Sequence, residues 1–102
     1  MRIEHFLQND ELHIKLCGEL DDRTGGYVRL SLDGLIDTNS FKRLYIDMSE
    51  LNFMDSTGIG VLLGRYKRLK SRGIPIFIQS PLPTVDKVLY VSGIYEIMVK
   101  AG

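Results

Sequence analysis

The segment Asn52–Arg72, NFMDSTGIGVLLGRYKRLKSR, restricts the fold more than any other part of the chain. It starts apolar and crosses Asp55-Ser56-Thr57. It then sets Ile59, Leu62, Leu63, Tyr66 and Leu69 at spacings of i, i+3, i+4, i+7 and i+10. That pattern is one face of an amphipathic helix. A hydroxyl pair therefore sits where a buried segment turns into a helix that must pack on something. Asp55 has N-cap chemistry and Ser56 suits a first turn. Gly73 predicts the helix end. Gly60 and Gly64 are expected to let the helix approach a sheet closely. The basic run Arg65, Lys67, Arg68, Lys70 and Arg72 reads as a solvated face, its last members favourable at a helix C-terminus.

The rest of the chain alternates between two periods. Arg2–Gln8 and Glu11–Gly18 flank the turn-type pair Asn9-Asp10, and Leu12, Ile14 and Leu16 alternate with polar residues. Period two predicts half-buried strands, here an N-terminal hairpin. A helix is expected over roughly Thr24–Ile36, with Asp21 or Asp22 capping it and Val28, Leu32, Leu35 and Ile36 inside. Gly25-Gly26 weakens its first turn by about 1 kcal/mol per residue relative to alanine. Phe41–Met48 reads as a strand, with Tyr45 suggesting burial on both faces. Ser49–Met54 reads as a loop with Leu51, Phe53 and Met54 turned inward. Ile74–Gln79 is a short strand, with Pro75 at its start or on an edge. Pro81–Thr84 opens a third helix holding Val85, Val88, Leu89 and Val91 inside, and Ile94–Val99 a last strand. Strands joined through helices should run parallel with right-handed crossovers. The fold class is α/β, a mixed sheet packed with helices.

The balance of 13 basic and 13 acidic residues removes the overall electrostatic case for nucleic acid or a membrane surface. No apolar run approaches the ~20 residues of a membrane span. One cysteine, Cys17, excludes an internal disulfide framework. The Met1 end is polar and charged, without signal-peptide character. The expectation is one cytoplasmic domain. His5, His13 and Cys17 lack a ligand or catalytic pattern and read as structural residues, so no metal is expected.

Several enzyme motifs can be weighed against Asp55–Gly64. An aspartic-protease triplet needs a second carboxylate copy, which is absent. A dinucleotide fingerprint needs its third glycine one position earlier and an acid about 20 residues on. A nucleophile elbow needs G-x-S-x-G, and a P-loop needs G-K-[ST]. No histidine lies near Ser56 in sequence to act as its base. On these residues alone, a cap and a packing helix is the stronger reading.

A phosphate at Ser56 is also physically sensible. It would carry about −1.5 to −2 charges and face the free N–H groups of the helix. The local gain is about 0.3–1 kcal/mol, up to ~2. That cannot refold a domain of about 5–15 kcal/mol stability. It can change an interface greatly, because each ~1.4 kcal/mol is tenfold in affinity. Ser56, if modified, should act as a surface switch.

The run FMDSTGIGVLLGRYKRLK strongly resembles the phosphorylation-site segment of bacterial anti-sigma factor antagonists of the STAS domain family. The resemblance leans to the sporulation branch. It extends to Gly18-Glu19-Leu20-Asp21 and Val91-Ser92-Gly93-Ile94, and so spans nearly the whole chain. It implies a single STAS domain over residues 1–102, without the C-terminal helix in which the family usually ends. It implies that Ser56 is phosphorylated by the anti-sigma factor, itself an ATP-dependent serine kinase, and restored by a serine phosphatase. The unphosphorylated form would bind that kinase and free the sigma factor. The chain would then be a binding module and substrate rather than an enzyme, with no cofactor of its own. Asp21, Asp55, Ser56, Thr57, Gly58 and Gly60 would lie at the docking surface. Asp22-Arg23 stands where sporulation members often show histidines. The alternative is a STAS module of a general-stress or transporter-associated system. A Ser56 hydrolase and DNA binding by Arg65–Arg72 are further readings.

Overall fold

A computed structural model describes all residues from Met1 to Gly102. β1 (Arg2–Gln8) and β2 (Glu11–Leu20) form the expected antiparallel hairpin. Asn9 and Asp10 have φ of 54° and 63°. Two consecutive positive φ values are what a two-residue hairpin turn of type I′ requires. Three crossovers follow: α1 (Gly25–Thr38) to β3 (Arg43–Met54), α2 (Ser56–Lys70) to β4 (Ile76–Gln79), and α3 (Pro83–Ser92) to β5 (Val99–Lys100). The sheet order is β1-β2-β3-β4-β5, with β2 to β5 parallel. Consecutive right-handed crossovers that advance in one direction put every helix on the same face.

That face is the core. Leu12, Ile14 and Leu16 of β2 meet Leu44, Ile46 and Met48 of β3 in one cluster with residues from all three helices. Each fully buried leucine or isoleucine contributes about 1.5–3 kcal/mol. The other face has no helix over it. Tyr45 is half-buried there, in a stacked row that runs Phe6, His13, Tyr45, Phe77 across four strands. Ring centroids are 4.5, 4.8 and 4.6 Å apart. The apolar character of Tyr45 reflects this cross-strand row and not a second helical layer.

β3 does not end at Met48. Residues 49–54, expected as a loop, continue the strand and pair with the end of β2: Cys17 with Glu50, Gly18 with Leu51, Glu19 with Phe53, Leu20 with Met54. The register shifts twice here, and Gly18 adopts φ 121°. The bulge breaks the period-two signal, so Leu51 and Met54 turn inward three residues apart while Phe53 stays 47% exposed.

α1 begins one residue later than expected and runs to Thr38. Its first glycine is a packing residue, since a Cβ on Gly25 would lie 2.7 Å from Thr57 Cγ2. On α2 the inward face is Gly58, Val61, Leu62, Arg65 and Leu69, while Leu63 points out. Gly60 and Gly64 have open space where a Cβ would be. The close approach belongs to Gly58, whose Cβ would meet Met54 Cγ at 2.6 Å and Leu20 Cγ at 3.0 Å. α2 ends in a Schellman turn: Gly73 at φ 70°, its N–H donating to Lys70 O and that of Ile74 to Leu69 O.

Arg65 corrects the expected solvated face. It is 7% exposed and lies between α1 and α2. Its Nε is 2.8 Å from Asp33 Oδ1, yet the N–H is not aimed at the oxygen, and neither Nε nor Nη1 makes a hydrogen bond. The contact is a charge pair without a directional bond. Arg68 completes the cluster with Asp33 and Asp37. On α3, Val85 and Leu89 are buried, but Val91 is 74% exposed. A 3-10 turn, Ile94–Glu96, takes the first half of the expected last strand, and β5 is only Val99–Lys100.

Urea denaturation tests these assignments. Gly58→Val lowers stability by about 1–3 kcal/mol through overpacking, whereas Gly60→Ala raises it by about 0.5–1 kcal/mol. Asp33→Ala, which strands the buried Arg65 charge, costs about 3 kcal/mol, and adding Arg65→Met recovers most of that loss.

Candidate functional site

The site is built at the carboxyl ends of β2 and β3. Leu20 pairs with Met54, and the N–H of Asp55 donates to Leu20 O at 3.3 Å. Asp21 and Asp55 thus leave neighbouring strand ends side by side. Asp55 is the N-cap of α2, its Oδ1 accepting from the Thr57 N–H at 2.9 Å. Ser56 is the first helical residue and is exposed. Its hydroxyl takes no part in the hydrogen bonds around it. Gly58 is buried against Leu20 and Met54, so the first turn of α2 is seated directly on the two strand ends. This seating fixes where Ser56 points.

The expected site residues divide into two groups. Asp55, Thr57, Gly58 and Asp21 build the platform, while Ser56 and Gly60 face solvent. Thr57 turns its methyl onto Gly25 of α1. Gly60 leaves bare helix backbone one turn beyond Ser56. Asp21 is 7% exposed. Its Oδ1 accepts from the N–H of Arg23 at 2.9 Å and of Thr24 at 3.2 Å, and its Oδ2 from Arg23 Nη2 at 2.9 Å. The side chain therefore shapes the β2–α1 loop and offers little to a partner. What that loop presents is Asp22 and the exposed Arg23 guanidinium. The Arg23 bond, helped by the backbone N–H groups of Arg23 and Thr24 and opposed by burial, holds the Asp21 carboxyl below the usual carboxylate range.

A feature that sequence reasoning missed lies on the other side of Ser56. Between α2 and α3 runs a groove of about 360 Å³, lined by Ser56, Ile59, Lys87, Val88, Val91 and Ser92. Val91 of its lining is 74% exposed. The signal was present: Val88 and Val91 fall three residues apart, off the Val85–Leu89 stripe. Their exposure depends on where α2 lies, which helical periodicity does not state.

Ser56 has no imidazole neighbour. His13 pairs with Tyr45 and Leu20 with Met54, and the run from His13 to Leu20 at about 3.3 Å per residue puts roughly 20 Å between His13 and the site. His5 lies opposite Ile14, also near that far end. General-base activation of Ser56 by either histidine is therefore excluded by geometry.

The chain that carries this exposed serine matches the STAS domain over residues 4–101. The chain belongs to the STAS domain family. A relative from Paenibacillus polymyxa, an anti-sigma F factor antagonist, is 35% identical over 98 residues, covering 96% of this chain and 84% of the relative. The anti-sigma factor antagonist SpoIIAA in its unphosphorylated form superposes with a TM-score of 0.82 at 28% identity, covering 99% of this STAS domain and 89% of SpoIIAA. The Bacillus cell fate determinant SpoIIAA in its phosphorylated form gives 0.73 at 27% identity, covering 99% and 92%. The resemblance in the segment from Phe53 to Lys70 thus extends to the whole fold, whose mixed sheet of five strands packs against three helices on one face.

Asp21 carries a pH signature. Its carboxyl is depressed in the folded state, so its contribution to stability is present above the unfolded value near pH 3.9 and is lost as pH falls through the folded value. Asp21→Asn should lower the urea midpoint at pH 7 and have much less effect at pH 2–3, so the acid limb of the stability profile flattens.

Proposed function

We propose that this STAS domain is an anti-sigma factor antagonist of the sporulation type, switched by phosphorylation of Ser56. The observation that carries the reading is the free, exposed hydroxyl of Ser56 on the rigid first turn of α2, inside the segment that resembles the family's phosphorylation site. Similarity at 28% and 27% identity to both the unphosphorylated and the phosphorylated SpoIIAA supports it. The 35% identity to an anti-sigma F factor antagonist supports the sporulation branch.

The partner is an anti-sigma factor that is also a serine kinase, and the ATP is bound by that partner. Ser56 Oγ attacks the γ-phosphorus, the bond to the β–γ bridging oxygen breaks, ADP leaves, and the hydroxyl proton passes to a base on the kinase. A serine phosphatase reverses the modification by hydrolysis. This chain supplies geometry: Asp55 caps the helix, Gly58 seats it, and the hydroxyl is offered to solvent. The exposed Ser56 can take a phosphate with no displacement of core residues. The added charge of about −1.5 to −2 then acts at the docking surface, where burying an unpaired charge costs several kcal/mol. One state binds and frees the sigma factor; the other is released.

Incubation with a sporulation-type anti-sigma kinase and ATP tests this by intact-mass spectrometry. The expected result is one phosphate per chain, none in Ser56→Ala, and at least tenfold weaker kinase binding for Ser56→Asp by calorimetry. Stoichiometric uptake by Ser56→Ala would sink the assignment.

A further inference from the structure

The α2–α3 groove carries an unpaired cation opposite the serine. Lys87 is the one charged side chain among the six that line it. It is exposed and enters no hydrogen bond or ion pair. Its neighbour Asp86 does not neutralise it, being held instead by Tyr95 Oη at 2.5 Å and Lys100 Nζ at 3.0 Å. Of the other cations near this end of the fold, Arg29 is unpaired but lies with Thr57 and Gly60 on the α1 side of α2, away from the groove. Arg23 pairs with Asp21, and Arg65 and Arg68 pair with acids of α1 on the opposite flank of α2. The rest of the lining, Ile59, Val88 and Val91, is apolar. The groove thus sets a serine on one wall and an unpaired ammonium on the other, across an apolar floor.

We propose that Lys87 is the counter-ion of phosphorylated Ser56, and that the phosphate–ammonium pair bridges α2 to α3 and closes the groove. This rests on the reading of Ser56 as the phosphorylation site and adds the means by which the switch is read. With the hydroxyl free, the groove is open and Lys87 is available to a carboxylate of the anti-sigma partner. With the phosphate present, Lys87 is occupied and three oxygens screen Ile59, Val88 and Val91 from an incoming apolar side chain. The switch then works through competition for one cation and one apolar cleft as well as through repulsion. Both helices stay where they are, because Lys87 reaches the phosphate by rotating an exposed side chain.

The test does not depend on the kinase. Phosphoserine is placed at position 56 during translation, and the phosphate is titrated by ³¹P NMR at low ionic strength. An adjacent ammonium stabilises the dianion, so the second ionisation should lie below its ordinary value of about 6. Lys87→Ala should raise that midpoint by about 0.3–0.7 units, the range expected of an exposed ion pair. Lys67→Ala, an exposed lysine further along α2, is the control for net charge and should move it by less than about 0.1. On phosphorylation the methyl signals of Ile59, Val88 and Val91 should shift in the parent and shift less in Lys87→Ala. An unchanged ³¹P midpoint in Lys87→Ala, or equal shifts for the two lysine variants, overturns the latch. Failure of the kinase to modify Ser56 overturns the functional reading instead, and leaves the ³¹P result to stand on its own.

Discussion

The pairing of β2 with β3 beyond the bulge is the interaction on which the site depends. Had β3 ended at Met48, Asp55 and Ser56 would hang on a free connection. Instead, Leu20 and Met54 are register partners, and the Asp55 N–H is anchored to Leu20 O. The two side chains form the floor on which Gly58 rests. A helix whose first turn touches two strands through a glycine has little freedom to tilt. The Cα–Cβ bond of Ser56 is thereby aimed by backbone contacts alone, which keeps the hydroxyl free of structural duties.

The flanks of α2 divide the labour. Toward α1 it is locked by Thr57 on Gly25 and by the Asp33–Arg65–Arg68–Asp37 charge cluster. Toward α3 it leaves an apolar groove with an uncommitted lysine. Ion pairs fix the helix on one side, and an exposed lysine lines an apolar groove on the other. A modification on the open flank can alter what binds without disturbing the locked one, which is the arrangement a surface switch of modest local energy requires.

Helix and strand identities were largely legible because their periods are clean: Leu12, Ile14 and Leu16 at period two, and Ile59, Leu62, Tyr66 and Leu69 near period 3.6. The errors share a cause. Residues 49–54 look like a loop because a bulge breaks their alternation, and a bulge is a property of the pair of strands. Arg65 looks like surface because its partner, Asp33, lies on another helix. Gly60 and Gly64 look like packing glycines, while Gly58 and Gly25 perform that role, because closeness is set by which helix face meets the sheet. At the site, Asp55 and Ser56 were correctly placed as cap and first-turn residue from local chemistry. Asp21 was correctly placed near them, but its carboxylate proved to be absorbed by its own loop. Lys87 and the groove carried no local mark.

The sequence by itself determined the α/β class, the hairpin, the three crossover helices and the capped serine at the start of α2. These follow from interactions within a few residues, where period, cap and turn chemistry suffice. Only the tertiary structure decided what Ser56 faces. The groove, the free Lys87 and the bulged β3 arise where segments distant in sequence meet. Their energies belong to contacts between elements, which no single element encodes. The segment Asn52–Arg72 encodes the capped serine; the packing of α3 beside it supplies the groove that this serine lines.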